Sequence, residues 1–323
     1  MIQTLTRHQI NDSAWNACVA NSPQGILYGY SWYLDTVLPA PSWKWIGLVI
    51  ADDAGNYLAV MPIPLRQKRM LGIPYSWVVH QPFFCQFVSV FSSDQTLDPT
   101  PFMQFMPQHF RYGSTFRIRQ LPDGPFSFGR VETRSTQVLN LSVGYDVLYQ
   151  RYSRDRKQNL KRALSANWSI LASTDPEPLI TLFCKNHTAG IDGGVADWAY
   201  AILRNLVAEL SKRKLMTLRY ACRDGRMEAG ALFVSEGNRV IYLFNAASEA
   251  GRRGNARTLL VDQMIREKAG MKLLFDFESP EKLSIREFYK SFGASDEPFY
   301  DLRWSRLKAV EKIARTVVNR LNS

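Results

Sequence analysis

Cysteine, histidine and acidic side chains are all in short supply in this sequence, and each shortage removes a class of function. The 323 residues hold 4 cysteines and 4 histidines. Cys18, Cys85, Cys184 and Cys222 stand without C-x-x-C spacing or a nearby histidine pair, which excludes a disulfide framework and a zinc site, so reduced core thiols and no bound metal are expected. His80, His109 and His187 are isolated from any Ser or Cys at a triad-like spacing, so a nucleophilic triad has little support. Long apolar runs are also missing. The most apolar stretch, 77–91, is broken by His80, Gln81 and Gln86, far short of the roughly 18 residues that a membrane span needs. The start, MIQTLTRHQINDSAW, has no basic segment leading into an apolar one, so no secretory signal is expected and the cytoplasm is the expected location.

What is present is a globular composition, 46% hydrophobic with 21% charged residues. The length suits two units rather than one. Basic residues outnumber acidic ones 40 to 29, and the excess is one-sided. Residues 1–148 hold 10 Lys/Arg against 9 Asp/Glu, whereas 149–323 hold 30 against 20. The second half therefore faces an anion, which could be a phosphate-bearing cofactor, nucleic acid or an acidic membrane face.

In the first half, helices are expected at 12–20 and 31–37, with a hairpin of strands 43–50 and 57–66 around the turn DDAG. Further strands are expected near 77–79, 84–91, 114–119 and 136–141, with loops at 93–101 and 121–129. Residues 145–166 form a basic helical segment whose apolar positions are Leu148, Tyr152, Leu160 and Ala163. Strand 168–172, helices 177–188 and 198–212, and strands 215–223, 228–234 and 240–245 follow, the first two of these last strands flanking the turn RDGR. The loop GIDGG, with Asp192, is placed near a cleft. The halves share an order of two helices, a hairpin, further strands and a helix, without a residue-level repeat.

The segment 241–293 carries the chemistry. An apolar strand enters the turn GRRGNA, then come a helix, the strand LLFDFES and the helix SIREFYKSFG. Backbone N–H groups at the start of the helix after that turn would point at an anion, and phosphate is the natural guest. These residues resemble the pyrophosphate loop of the GNAT superfamily of acyl-CoA N-acyltransferases, and REFYKSFG resembles that superfamily's final helix. The basic segment YSRDRKQNLKRAL, DGRMEAGALF and FDFESPEKLSIREFYKSFGA further resemble the Fem-type double-GNAT group. Two departures stand out. Gly251 occupies the place where the GNAT pattern usually has Gln or Arg, and the second half lacks the long charged helical hairpin of tRNA-dependent Fem proteins.

The resemblance implies an α/β fold of two tandem GNAT-like domains, each a mixed, mostly antiparallel sheet flanked by helices. These would be an acceptor-shaping domain at 1–144 and a donor-binding domain at 145–304, with the acceptor between them, followed by a basic amphipathic helix at 305–323. It implies direct transfer of an acyl group from acyl-CoA, acetyl-CoA foremost, to an amine-bearing small molecule or envelope precursor. The alternatives are an aminoacyl-tRNA donor, with tRNA as a partner, and a phosphate-ligand binding protein without turnover.

Site residues follow from the same places, each beside a plainer reading. Gly254 and Ala256 would approach a pyrophosphate, with Arg252, Arg253, Asn255 and Arg257 around it, or would merely shape a turn. Tyr289 matches the GNAT tyrosine that protonates a departing thiolate, but it borders an apolar stripe of Ile285, Phe288 and Phe292 and could be core. Lys290 matches a Fem-type lysine or is a solvated cation. Alternation in LLFDFES puts Asp276 and Glu278 on one strand face as candidate bases, or on a solvent-facing edge. Asn245 would lie where the acyl carbonyl binds or would cap the turn. Tyr28, Tyr30, Trp32 and Tyr33 would line an acceptor groove or pack as core, and are read as core. The last helix, over 305–321, has Leu307, Val310, Ala314, Val317 and Leu321 at helical spacing among basic residues. It would pack on the body, pair two copies, or touch an anionic membrane.

Overall fold

The computed structural model describes residues 1–70, 73–121, 129–188, 194–278 and 282–307. Asp192 and nearly all of the final basic helix lie outside the described residues, as does most of the loop 121–129. The chain divides into two compact units, Met1–Arg134 joined by the strand residues from Pro298 on, and Ser135–Glu297. The division falls at 134 and 298 rather than at 144 and 304, because the chain after 134 pairs into the second unit's sheet and the last strand returns to the first.

The first unit contains β1 (Gln3–Thr6), α1 (Asp12–Asn21), α2 (Ser31–Val37), β2 (Trp43–Ala51), β3 (Tyr57–Met70), β4 (Ile73–His80), β5 (Phe91–Ser92), α3 (Thr100–His109) and β6 (Tyr112–Ile118). Asn11 caps α1 by accepting from Ala14 N at 3.1 Å. Strands β1 to β4 pair antiparallel in sequence order, and β4 pairs parallel with β6 through Val79↔Gly113 and His80↔Thr115. Tyr28 and Tyr33 are fully buried and Tyr30 nearly so, in keeping with their reading as core.

Two expectations fail here. The strand expected at 84–91 is only β5 and an isolated bridge at Val88. Side chains replace its ladder, since Gln81 accepts from Arg117 N at 3.0 Å and donates to Cys85 O, and Gln120 exchanges two hydrogen bonds with Val90. The helix α3 begins inside the loop expected at 93–101. Pro101 sits in its first turn, where an amide N–H has no intrahelical acceptor to lose.

The next strand, β7 (Gly129–Asn140), leads into the second unit: α4 (Tyr145–Gln150), α5 (Arg154–Leu164), β8 (Ser169–Ser173), α6 (Glu177–Asn186), α7 (Asp197–Lys212), β9 (Met216–Arg223), β10 (Arg226–Glu236), β11 (Arg239–Ala247), α8 (Glu249–Arg253), α9 (Ala256–Lys268), β12 (Leu274–Asp276) and α10 (Leu283–Lys290). Its sheet runs β7-β12-β11-β10-β9-β8 and is antiparallel except where β11 meets β12. Asp224 and Gly225, both at positive φ, make the tight β9–β10 turn. The final strand, β13 (Ser295–Ser305), pairs antiparallel with β6 from Tyr300 on.

The basic segment expected as one helix over 145–166 breaks at Ser153, whose side chain accepts from Arg156 N and starts α5 afresh. Helix α9 is locked to these two helices by Asp262, which accepts from Tyr145 Oη at 2.7 Å and Tyr152 Oη at 3.1 Å. Leu148, Leu160, Ala163, Leu260, Met264 and Phe292 close the core around it.

Candidate functional site

The second sheet opens where its one parallel pair ends. Strands β11 and β12 share three rungs, Arg239↔Leu274, Val240↔Phe275 and Ile241↔Asp276. Beyond Asp276 the chain stays with β7, Phe277 N donating to Gln137 O at 2.9 Å, while β11 continues to Ala247 without that neighbour. The parallel pair of the first unit has no such opening, because the segment after His80 folds back on β6. Gln81 N donates to Thr115 O, Val88 N to Arg117 O, and Arg119 N to Val88 O. A ligand that needs free strand edge therefore finds it in the second unit.

At this open end Tyr289, Asn245 and Arg257 form a relay. Arg257 Nη1 donates to Asn245 Oδ1 at 3.1 Å, and the Asn245 side chain hydrogen-bonds Tyr289. With Oδ1 occupied by the guanidinium, the Asn245 amide faces the phenol as donor. The phenol proton is then free to point elsewhere. Burial pushes the Tyr289 phenol up to about 12, with Arg257 and Asn245 acting in the opposite sense. The ring packs on Phe277 with centroids 4.7 Å apart, and Tyr242 lies 6.1 Å away. Among the described residues the buried Tyr242 hydroxyl, beside Tyr289, has no hydrogen-bond partner. Tyr289 is thus a buried residue at the end of β11.

The expected phosphate turn is not a loop. Residues 249–253 are the short helix α8, whose cap Ser248 accepts from Gly251 N at 3.0 Å and hydrogen-bonds Glu228. Gly251 departs from the Gln/Arg pattern for a local reason, since a Cβ there would stand 2.1 Å from Glu228 O. A Cβ on Gly254 would lie 2.3 Å from the Trp168 ring, whose Nε1 donates to Gly254 O at 2.9 Å and over which Arg223 sits at 4.6 Å. The glycine accommodates tryptophan. Gly254→Ala is expected to lower stability by about 1–3 kcal/mol, as overpacking does, read as a lower urea midpoint at unchanged slope.

After Gly254, Asn255 takes the left-handed conformation, φ 54°, and α9 begins at Ala256. Among the described residues, the Ala256 and Arg257 amides have no backbone acceptor, so two N–H donors head a 13-residue helix. Arg252 turns to Ala247 O at 2.8 Å, whereas exposed Arg253 pairs with Glu249 and points to solvent. His187 is not isolated. Its Nε2 accepts from Ala247 N at 3.2 Å, and burial with Arg257 and Arg252 lowers its pKa and keeps it neutral. His80, in the first unit, also has a partner, Ser114 Oγ at 2.5 Å from Nδ1, and burial pulls it down to about 4.

The remaining candidates are dispersed. Asp276 is fully buried on β12, accepting from Arg239 Nη1, Thr136 Oγ1 and Glu278 N. Glu278 does not continue the alternation, because at φ 47° the strand has ended. It lies close enough to Tyr289 to raise its pKa. Lys290 Nζ pairs with Asp296 at 2.8 Å, and that contact leads the lowering of the Asp296 pKa. Among the described residues no group of three or more His, Cys, Asp or Glu could hold a metal.

Sequence reasoning missed Arg156. It is 5% exposed, donates from Nε to Ser291 Oγ at 2.8 Å and from Nη1 to Thr258 Oγ1, and stacks 4.1 Å over Phe288 and 4.5 Å over Phe292. Burial pulls its pKa down to about 10, and Arg257 adds to that. No carboxylate among the described residues forms an ion pair with it. The signal was its place on the stripe of Tyr152, Leu160 and Ala163, where an arginine has to find buried partners.

Residues 141–290 match the family described as an acetyltransferase (GNAT) domain. No curated protein matches the sequence. Among solved structures, FemX matches with a TM-score of 0.64 at 14% identity, over 98% of this chain and 100% of that one. A conserved protein of unknown function from Bacteroides thetaiotaomicron matches with a TM-score of 0.57 at 9% identity, over 94% and 100%. L-PGS from Bacillus licheniformis matches with 0.51 at 11% identity, over 96% of each chain. At such identities these likenesses concern the fold.

Proposed function

We propose direct acyl transfer to an amine at the open end of β11, a reading supported by the acetyltransferase (GNAT) domain match at 141–290 and by a fold like that of FemX. The observation that carries the proposal is Tyr289, buried there and hydrogen-bonded to the Asn245 side chain. In the proposed reaction the neutral amine attacks the acyl carbonyl and the carbonyl collapses with cleavage of the bond to the leaving group. For acyl-CoA that group is the thiolate. Tyr289 donates a hydrogen bond to the departing sulfur, and the proton lost by the amine passes through Glu278 or water to the thiolate, so the products are an amide and a thiol. With a pKa of about 12, the phenol acts as a hydrogen-bond donor to sulfur more than as a strong acid. The Ala256 and Arg257 amides, with the Arg257 and Arg252 side chains, are assigned to the donor's phosphates. Asn255 shapes that helix start. Lys290, Arg253 and Asp276 are assigned structural or surface roles. An amine-bearing small molecule or envelope precursor is the proposed acceptor class.

An aminoacyl-tRNA donor is the second reading. It is favoured by the Fem resemblance and by α8 standing where a Gly-rich pyrophosphate loop would be. Thermal unfolding with coenzyme A or acetyl-CoA separates the two. A CoA donor stabilises the chain by about 2.7 kcal/mol at a hundredfold excess over Kd, and Arg257→Ala weakens that shift. No shift with CoA, together with tRNA binding that falls steeply with salt, gives the tRNA donor. Ligand binding without turnover on any amine tried would identify a binding protein instead.

A further inference from the structure

The β3–β4 hairpin of the first unit runs on beyond the core of that unit. Leu65 and Val78 are the last buried residues on its two strands. Past them the rungs are Gln67↔Trp77, Lys68↔Ser76, Arg69↔Pro74 and Met70↔Ile73, and the register slip between Lys68 and Arg69 leaves Tyr75 as an unpaired extra residue. Near the turn the side chains are apolar and open. Ile73 is 69% exposed and Tyr75 55% exposed. Behind them come Arg69 and Lys68, and on the neighbouring strand Lys44 lies 4.2 Å over the Trp77 ring. Residues 54–93 contain no Asp or Glu.

A hairpin that merely ends in water carries turn-forming and polar residues near its tip. Among the described residues this one is layered, with Ile73 and Tyr75 nearest the turn, two cations one or two rungs behind, and a tryptophan with a third cation behind those. That order matches the layers of a bilayer surface, where apolar side chains reach the acyl boundary and Lys, Arg, Tyr and Trp sit at headgroup level. We propose that the β3–β4 hairpin docks on an anionic lipid surface, Ile73 and Tyr75 entering the interface while Lys68, Arg69 and Lys44 meet lipid phosphates. Single-stranded RNA also takes basic and aromatic ribbons, but it rewards stacking planes, which Ile73 does not offer.

The test is flotation of the full chain with vesicles of phosphatidylcholine alone or mixed with phosphatidylglycerol. Binding to the mixed vesicles and not to the neutral ones is expected, weakening with salt. Lys68→Gln/Arg69→Gln should lose about fivefold in affinity per cation removed. Ile73→Asp/Tyr75→Asp should abolish binding, with its thermal unfolding and acyltransfer unchanged, while Ile73→Leu/Tyr75→Phe retains it. Should the aspartate variant not fold, the glutamine pair alone decides. Equal binding to neutral vesicles, no binding, or undiminished binding by both hairpin variants overturns the proposal, the last by moving lipid contact elsewhere on the chain. So do a dimer that Ile73→Asp/Tyr75→Asp dissociates, or RNA binding that it abolishes, when vesicles are not bound.

Discussion

Tyr289→Phe should lower kcat by about 100-fold while donor affinity, read as the ligand-induced rise in unfolding temperature, stays within about twofold. The substitution removes one hydroxyl and leaves the ring on Phe277 and Tyr242. What is lost is the donor to the leaving group, an interaction made as the bond breaks, so kcat falls and KM does not. The Asn245 amide loses its acceptor as well, at a cost of about 1 kcal/mol in stability that does not touch the rate. Burial lifts the phenol to about 12, so it stays protonated across the working pH range and sets no alkaline limb below that value. An alkaline limb near pH 10 that vanishes in Tyr289→Phe would contradict this, and unchanged kcat would take Tyr289 out of the chemistry.

Much of this arrangement was legible from local pattern. The turn at Asp224 and Gly225, the helix α7 before it and the strand β10 after it depend on neighbouring residues alone, and they stand close to where the sequence put them. Tyr289 and Asn245 could each be named, but their hydrogen bond joins α10 to the end of β11 and depends on how far β12 diverges, which spacing does not encode. The strand expected at 84–91 failed because two glutamine side chains do the work of a ladder. The glycines of the turn carry two readings for a related reason. Glycine records a close approach without recording what approaches, and here Trp168 and Glu228 O are the neighbours. Arg156 was hidden inside a run of surface-like cations, and only its place on an apolar stripe sets it apart.

The largest loss of stability is expected at Arg239. Its side chain is 2% exposed and holds two carboxylates at once, Asp276 at 2.7 Å from Nη1 and Glu297 at 2.6 Å from Nη2. Asp276 is fully buried, and burial lifts its carboxyl above the ordinary value even though Arg239, Glu278 N and Thr136 all favour the charge. Removing the cation strands that carboxyl, so Arg239→Met should cost about 3–5 kcal/mol. The sign with pH follows from the raised pKa. A carboxyl with a higher pKa folded than unfolded takes up its proton first in the folded state, so its contribution is most favourable in acid and declines as pH rises through the folded value. Without Arg239 that value climbs further, and the deficit in urea midpoint should be widest at neutral pH and narrow in acid. A deficit independent of pH would mean that packing, not charge, is what Arg239 supplies. Asp276→Leu on the Arg239→Met background should recover part of the loss, because two apolar groups replace an unpaired charge. The consequence reaches the site through geometry. Arg239 and Asp276 sit at opposite ends of the three rungs that join β11 to β12, and those rungs set where the strands part. Arg239→Met should therefore loosen the Asn245 and Tyr289 relay and lower kcat/KM in the fraction that remains folded, an effect that Arg253→Ala, on an exposed helical pair, should not produce.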